Sequence, residues 1–211
     1  MFKSKKLSLS LLTLSVSSAL LLTACGGGNG GSSGGNPPAA ATLTGRVVDG
    51  PIANATVTFT DEATACKDKT ATTDGNGVFT FPQGCTASAL KVTGGQDTTT
   101  GLPFTATLQA PKISLTDTQG IDVVVTPITT LVATVGADKA AAIATALGLS
   151  GTNLLTADPL NSAALLAKTT AVQQLIEQIS TAVTTLNTDG SLTSTIAQKA
   201  ITAALISQLT S

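Results

Sequence analysis

Ala55-Thr56-Val57-Thr58-Phe59-Thr60 alternates apolar and polar side chains without a break. Successive side chains of a strand point to opposite faces, so this spacing buries Ala55, Val57 and Phe59 and turns the threonines to water. Similar short runs flank it: Leu43 to Val48, Thr70 to Thr73, Val78 to Phe81, Ala89 to Thr93, Phe104 to Leu108 and Ile121 to Val125. Gly, Asp, Asn and Pro separate them, and that punctuation predicts an all-β sandwich over residues 43–125. The period of two also puts Phe79 and Phe81 on one face.

Beyond Val125 the period lengthens to about 3.6, and residues 126–211 read as an all-α helical domain. Thr126-Pro127 is a helix start, a capping oxygen followed by proline at the first position. Ile128, Leu131, Val132 and Val135 mark the buried face, and Gly136 stops the helix. A second, alanine-rich helix spans Asp138 to Leu147 and ends at Gly148, and Asp158-Pro159 opens a third region. The longest helix runs from Ser162 to Leu186 with Leu165, Val172, Ile176, Ile179, Val183 and Leu186 in one stripe. After the turn Asn187-Thr188-Asp189-Gly190, a last helix spans Leu192 to Leu209, with Ile196, Ala200, Ala203 and Ala204 on one side and Ile201, Leu205 and Leu209 beside it. Two helices joined by so short a turn pack antiparallel. The stripe serves either the core of a small bundle or a coiled-coil contact with a second protein.

Two segments carry a resemblance: Gly45-Arg46-Val47-Val48-Asp49-Gly50-Pro51-Ile52-Ala53-Asn54-Ala55-Thr56-Val57, and Thr72-Thr73-Asp74-Gly75-Asn76-Gly77-Val78-Phe79. Together they resemble the carboxypeptidase regulatory-like family, which implies a transthyretin-like (prealbumin-like) sandwich over roughly Leu43 to Thr93. In that pattern a first strand turns into a proline-led second strand, and a later hairpin carries the Asp-Gly turn. The first turn, Val48 to Pro51, is shorter than is usual there, and the peptidase that names the family is absent, so no peptidase activity is implied. The run Val125 to Val132, with Ala146-Leu147-Gly148-Leu149 and Asp158-Pro159-Leu160, resembles a segment that follows such sandwiches in envelope and adhesin-like proteins.

At the other end, Lys3, Lys5 and Lys6 precede an apolar stretch from Leu7 to Leu22 that Ser and Thr interrupt. That layout is a secretory leader, too short and too polar to be a spanning helix. Leu22-Thr23-Ala24-Cys25 resembles the bacterial lipobox, which implies removal of residues 1–24 and acylation of Cys25 on its sulfur and amine. Two or more acyl chains anchor stably where one is marginal. The alternative is an ordinary leader with a coincidental cysteine. Residues 25–42 follow as a Gly/Ser-rich tether, a composition that buries no core. Gly26 after the cysteine, in a Gram-negative cell, resembles the pattern sorted to the outer membrane, on either its periplasmic or its surface face.

Composition excludes more than it selects. The chain has no His, Trp or Tyr and only two Glu, Glu62 and Glu177. Without His, the Ser-His-Asp and Cys-His nucleophilic systems are gone, as is the commonest zinc ligand. No catalytic residue, cofactor or metal site is read, and the chain is expected not to be an enzyme. Losing the three leader lysines takes the basic residues from 11 to 8 against 12 acids, a net of −4. Such a surface does not suit nucleic acid.

With Cys25 acylated, Cys66 and Cys85 remain, an even number in an oxidising compartment. A structural disulfide is expected, since no Cys-x-x-Cys spacing supports a redox or metal site. Asp74-Gly75-Asn76-Gly77 is a β-turn by composition. Half a calcium loop is the other reading, kept open by Asp61-Glu62 nearby, although the downstream Glu such a loop needs is missing. The expectation is therefore a non-enzymatic, lipid-anchored envelope protein that binds or scaffolds an envelope or surface protein. A polysaccharide is the alternative partner, disfavoured because ring platforms are usually Trp or Tyr.

Overall fold

The computed structural model describes residues 42–63, 65–116, 118, 120–187 and 193–209. The leader, Cys25, the tether, and residues 188–192 with the predicted turn and Leu192 lie outside the described residues. Strands come first and helices second.

Among the described residues nine strands form three sheets. They are β1 (Thr44–Val47), β2 (Ile52–Ala53), β3 (Thr56–Phe59), β4 (Thr70–Thr72), β5 (Val78–Thr80), β6 (Ala87–Thr93), β7 (Gln96–Asp97), β8 (Thr107–Ser114) and β9 (Val123–Val125). One sheet runs β5-β1-β9, a second β4-β3-β6-β8, and β2 pairs with β7 alone. All pairings are antiparallel except β1 with β9, which is parallel. The expected alternation in β3 is present, with Val57 and Phe59 buried and Thr56 exposed.

The two larger sheets share one core. Val47, Phe79 and Val125 from the first sheet meet Val57, Phe59, Leu90, Val92 and Leu108 from the second. Phe59 stands edge-on to Phe81 with centroids 5.0 Å apart, and Phe79 stacks on Phe81 at 5.7 Å. Each aromatic pair contributes about 0.5–1.5 kcal/mol beyond the area it buries.

Two expected hairpins prove to be links between sheets. Val48-Asp49-Gly50-Pro51 closes with a single Val48↔Pro51 bridge, after which β2 leaves to pair with β7. Asp74 to Gly77 likewise carries the chain from β4, which pairs with β3, to β5, which pairs with β1. Asp74 Oδ1 accepts from Asn76 N and Val78 N, and Gly77 takes φ +75°, where a Cβ would stand 2.5 Å from the Val47 carbonyl oxygen. Glycine is required there on both counts.

β8 extends to Ser114, well past the predicted end at Leu108, and passes through Pro111. Proline removes a ladder donor, so it is tolerated on an edge strand or at a bulge, and β8 is both. It is the outer strand of its sheet, and its register against β6 shifts by one residue between Ser88 and Leu90.

The helices are α1 (Pro127–Val135), α2 (Ala140–Ala146), α3 (Ala163–Leu186) and α4 (Ser194–Leu209), with 3-10 turns at Ala137–Lys139 and Pro159–Asn161. α1 has the expected start: Thr126 Oγ1 accepts from Thr129 N while Thr129 Oγ1 accepts from Thr126 N. Its next residues cover the edge of β8. Gln109 N donates to Thr130 Oγ1, and Thr129 Oγ1 donates to the Gln109 carbonyl. An exposed edge would otherwise offer those backbone groups to another chain.

A second core joins the helices. Ile128, Leu131 and Val132 of α1 pack with Ile143, Leu149, Leu154 and with Leu165, Val172 and Ile176 of α3, and Ile113 of β8 touches both cores. The predicted stripe on α3 is buried only in its first half, since Ile179 is 38% exposed and Leu186 81%. On α4, Ala197 and Thr202 are buried and Ile201 and Leu205 half-buried against the core, whereas Ile196, Ala200, Ala203 and Ala204 face solvent. The sequence of α4 mixes polar residues such as Gln198, Lys199, Thr202 and Gln208 with apolar ones all round the helix, so its pattern favours no face. Among the described residues no helix is long and apolar enough to cross a membrane.

Candidate functional site

Cys66 and Cys85, both buried, are joined as a disulfide with Cα atoms 5.0 Å apart. The bridge ties the loop after β3 to the turn before β6. Beside it lies a hollow of about 440 Å³ lined by Thr42, Leu43, Phe81, Pro82 and Cys85 among others, with no charged side chain in its wall.

The other acidic candidates are engaged structurally. Asp74 holds its turn, as described. Asp61 pairs with Lys112 of β8, and that hydrogen bond, helped by the Ala63 N–H, holds its carboxyl below the ordinary range. Two of the acidic residues behind the calcium reading, Asp74 and Asp61, are thus already bonded. Among the described residues, no group of three or more Cys, Asp or Glu side chains is placed to hold a metal ion.

Asp122 shows what a satisfied buried carboxylate looks like. Burial works to raise its pKa, but Oδ2 accepts from Thr44 N at 2.8 Å and Oδ1 from Thr118 N and Oγ1 at 2.8 and 2.7 Å. Those bonds outweigh burial, and the group stays below the ordinary carboxylate value.

Asp49 is the opposite case. It sits half-buried in the link between β1 and β2, in a cleft of about 360 Å³ shared with Asp97 of β7 and Glu177 of α3. Phe104, Leu102 and the buried Gln173 complete the part of the wall that matters here. Asp97 is held by Thr99 N and Thr100 Oγ1 at 2.8 and 2.9 Å, and Glu177 Oε1 accepts from Gln173 Nε2 at 2.6 Å. Among the described residues Asp49 has neither a hydrogen bond to its carboxylate nor a basic partner; the ion pairs formed are Arg46–Asp158, Lys112–Asp61 and Lys139–Asp138. Burial, then the charges of Glu177 and Asp97, push its pKa from 3.8 up to about 7.

Sequence reasoning singled out none of these three as a group. They lie 48 and 80 residues apart along the chain, on a turn, a two-residue strand and the flank of an apolar helix. Only the fold converges them. What the cleft can do chemically is exchange a proton near neutral pH and attract positive charge. The four phenylalanines of the described region, Phe59, Phe79, Phe81 and Phe104, are all buried, so none offers a flat ring to solvent. No known protein family, curated protein or solved structure matches this chain.

Proposed function

We propose that the chain is a non-enzymatic, lipid-anchored protein of the cell envelope, whose β and α parts bind or scaffold an envelope or surface partner. The observation that carries this is Leu22-Thr23-Ala24-Cys25, set between a lysine-led apolar leader and a Gly/Ser tether. The Cys66–Cys85 bridge supports it, because disulfides persist in oxidising compartments. The absence of His throughout the chain supports a role other than nucleophilic catalysis. The β part, on this reading, is a sandwich of the transthyretin-like type, and Gly26 directs the protein to the outer membrane of a Gram-negative cell. The polysaccharide alternative lacks an exposed aromatic ring among the described residues to stack a sugar on.

Fractionation of cells expressing the wild type and Cys25→Ser tests the reading. The wild type is expected in the detergent-soluble membrane fraction and the variant outside it. A Cys25→Ser protein that partitions with membranes like the wild type would overturn the anchor.

A further inference from the structure

We propose that the seam where the Val48–Pro51 link and β7 face α3 is a pH-sensitive clasp, closed when Asp49 carries a proton and loosened when it does not. The geometry is an interface that assembles three carboxylates from three separate elements around one cleft, with no lysine or arginine in its wall. From β7 the facing charge is Asp97 and from α3 it is Glu177; the rest of the wall is uncharged, from Thr100, Leu102, Pro103, Phe104 and Thr105 to Thr170, Gln173 and Gln174. Asp97 accepts from Thr99 N and Thr100 Oγ1 and Glu177 from Gln173 Nε2, whereas the Asp49 carboxylate accepts no hydrogen bond among the described residues.

The direction of the effect follows from where that proton is held. Asp49 in the unfolded chain ionises near 3.8, and in the closed seam near 7. Between those values the closed form binds a proton that the unfolded chain has lost. The closed form therefore weakens as pH rises from about 4 to 7 and changes no further above it. What loosens is the seam itself, whose cleft wall includes Phe104 and Gln173, 8% and 6% exposed. α3 remains seated on α1 through Leu165, Val172 and Ile176, so this opening is local.

Asp49→Asn fixes a neutral side chain of the same shape. Hydrogen exchange of segments 100–106 and 170–177, taken as the wild-type to Asp49→Asn rate ratio at each pH, cancels the intrinsic pH dependence of exchange. The ratio is expected near one at pH 4, rising by at least about tenfold to pH 7 and level above it. A ratio that does not change with pH would overturn the clasp. Glu177→Gln provides an independent arm, since removing one repelling charge should move the wild-type midpoint to lower pH, as read from the 100–106 segment. An unmoved midpoint would count equally against the proposal.

Discussion

Arg46 on β1 donates from Nη1 to Oδ2 of Asp158, the residue that caps the 3-10 turn leading into α3. The two are 112 residues apart, and their side chains are 20% and 7% exposed. Asp158 uses its other oxygen, Oδ1, to accept from Leu160 N at 3.0 Å, so one carboxylate both starts the turn and pairs with the sheet. Asp158→Asn keeps a capping oxygen but removes the charge opposite a largely buried guanidinium. Its cost is expected to be about 2–3 kcal/mol in urea denaturation. A cost within experimental error of zero would show that Arg46 is solvated well enough without its partner.

Phe79 lies across Gly45, its direct neighbour in the β1–β5 register, and a Cβ at residue 45 would stand 2.2 Å from the ring. Glycine here makes room for the aromatic cluster. Gly45→Ala should cost about 1–3 kcal/mol by overpacking. Combining it with Phe79→Leu should cost less than the sum of the two singles, because the smaller side chain clears the clash. Strict additivity in that cycle would contradict the contact.

The Cys66–Cys85 bridge spans a sequence separation of 19. Closing a loop of that size removes entropy from the unfolded chain worth about 3 kcal/mol. The double variant Cys66→Ala with Cys85→Ala should lose about that much in a denaturant titration, without change in secondary-structure content. Thiol labelling of the folded wild type should leave both cysteines unmodified; modification of both would sink the bridge.

The helix cap offers a check on how the two parts are joined. Thr126→Ala removes an oxygen that accepts from Thr129 N, at an expected cost of about 1 kcal/mol. Thr129→Val should cost more, since Thr129 Oγ1 also donates to the Gln109 carbonyl on the edge of β8. Equal costs in thermal denaturation would mean that the edge contact adds nothing.

What could be read before folding follows from the range of each signal. Alternation in Ala55 to Thr60, the Thr126-Pro127 start and the Gly136 stop act within a few residues, and each stands where expected. β2 and β7, two residues each, are too short to show a period, and they exist only because they pair with one another. The run read as ending at Leu108 continues to Ser114, and β8 passes through Pro111 because an edge and a register shift meet there. The inward face of α4 stayed hidden because polar and apolar residues are mixed around that helix. The Asp49–Asp97–Glu177 cleft was illegible for a different reason: the residues share no local pattern, and only three-dimensional closure brings them together.

The most direct measurement is the mass of the N-terminal peptide of the protein purified from membranes in detergent. Peptides should begin at Cys25 and carry a diacylglyceryl group on sulfur and an acyl chain on the amine, with nothing from residues 1–24 retained. An N-terminal peptide with a free Cys25 thiol, or one that still contains Leu22-Thr23-Ala24, would contradict the lipid anchor on which the proposed function rests.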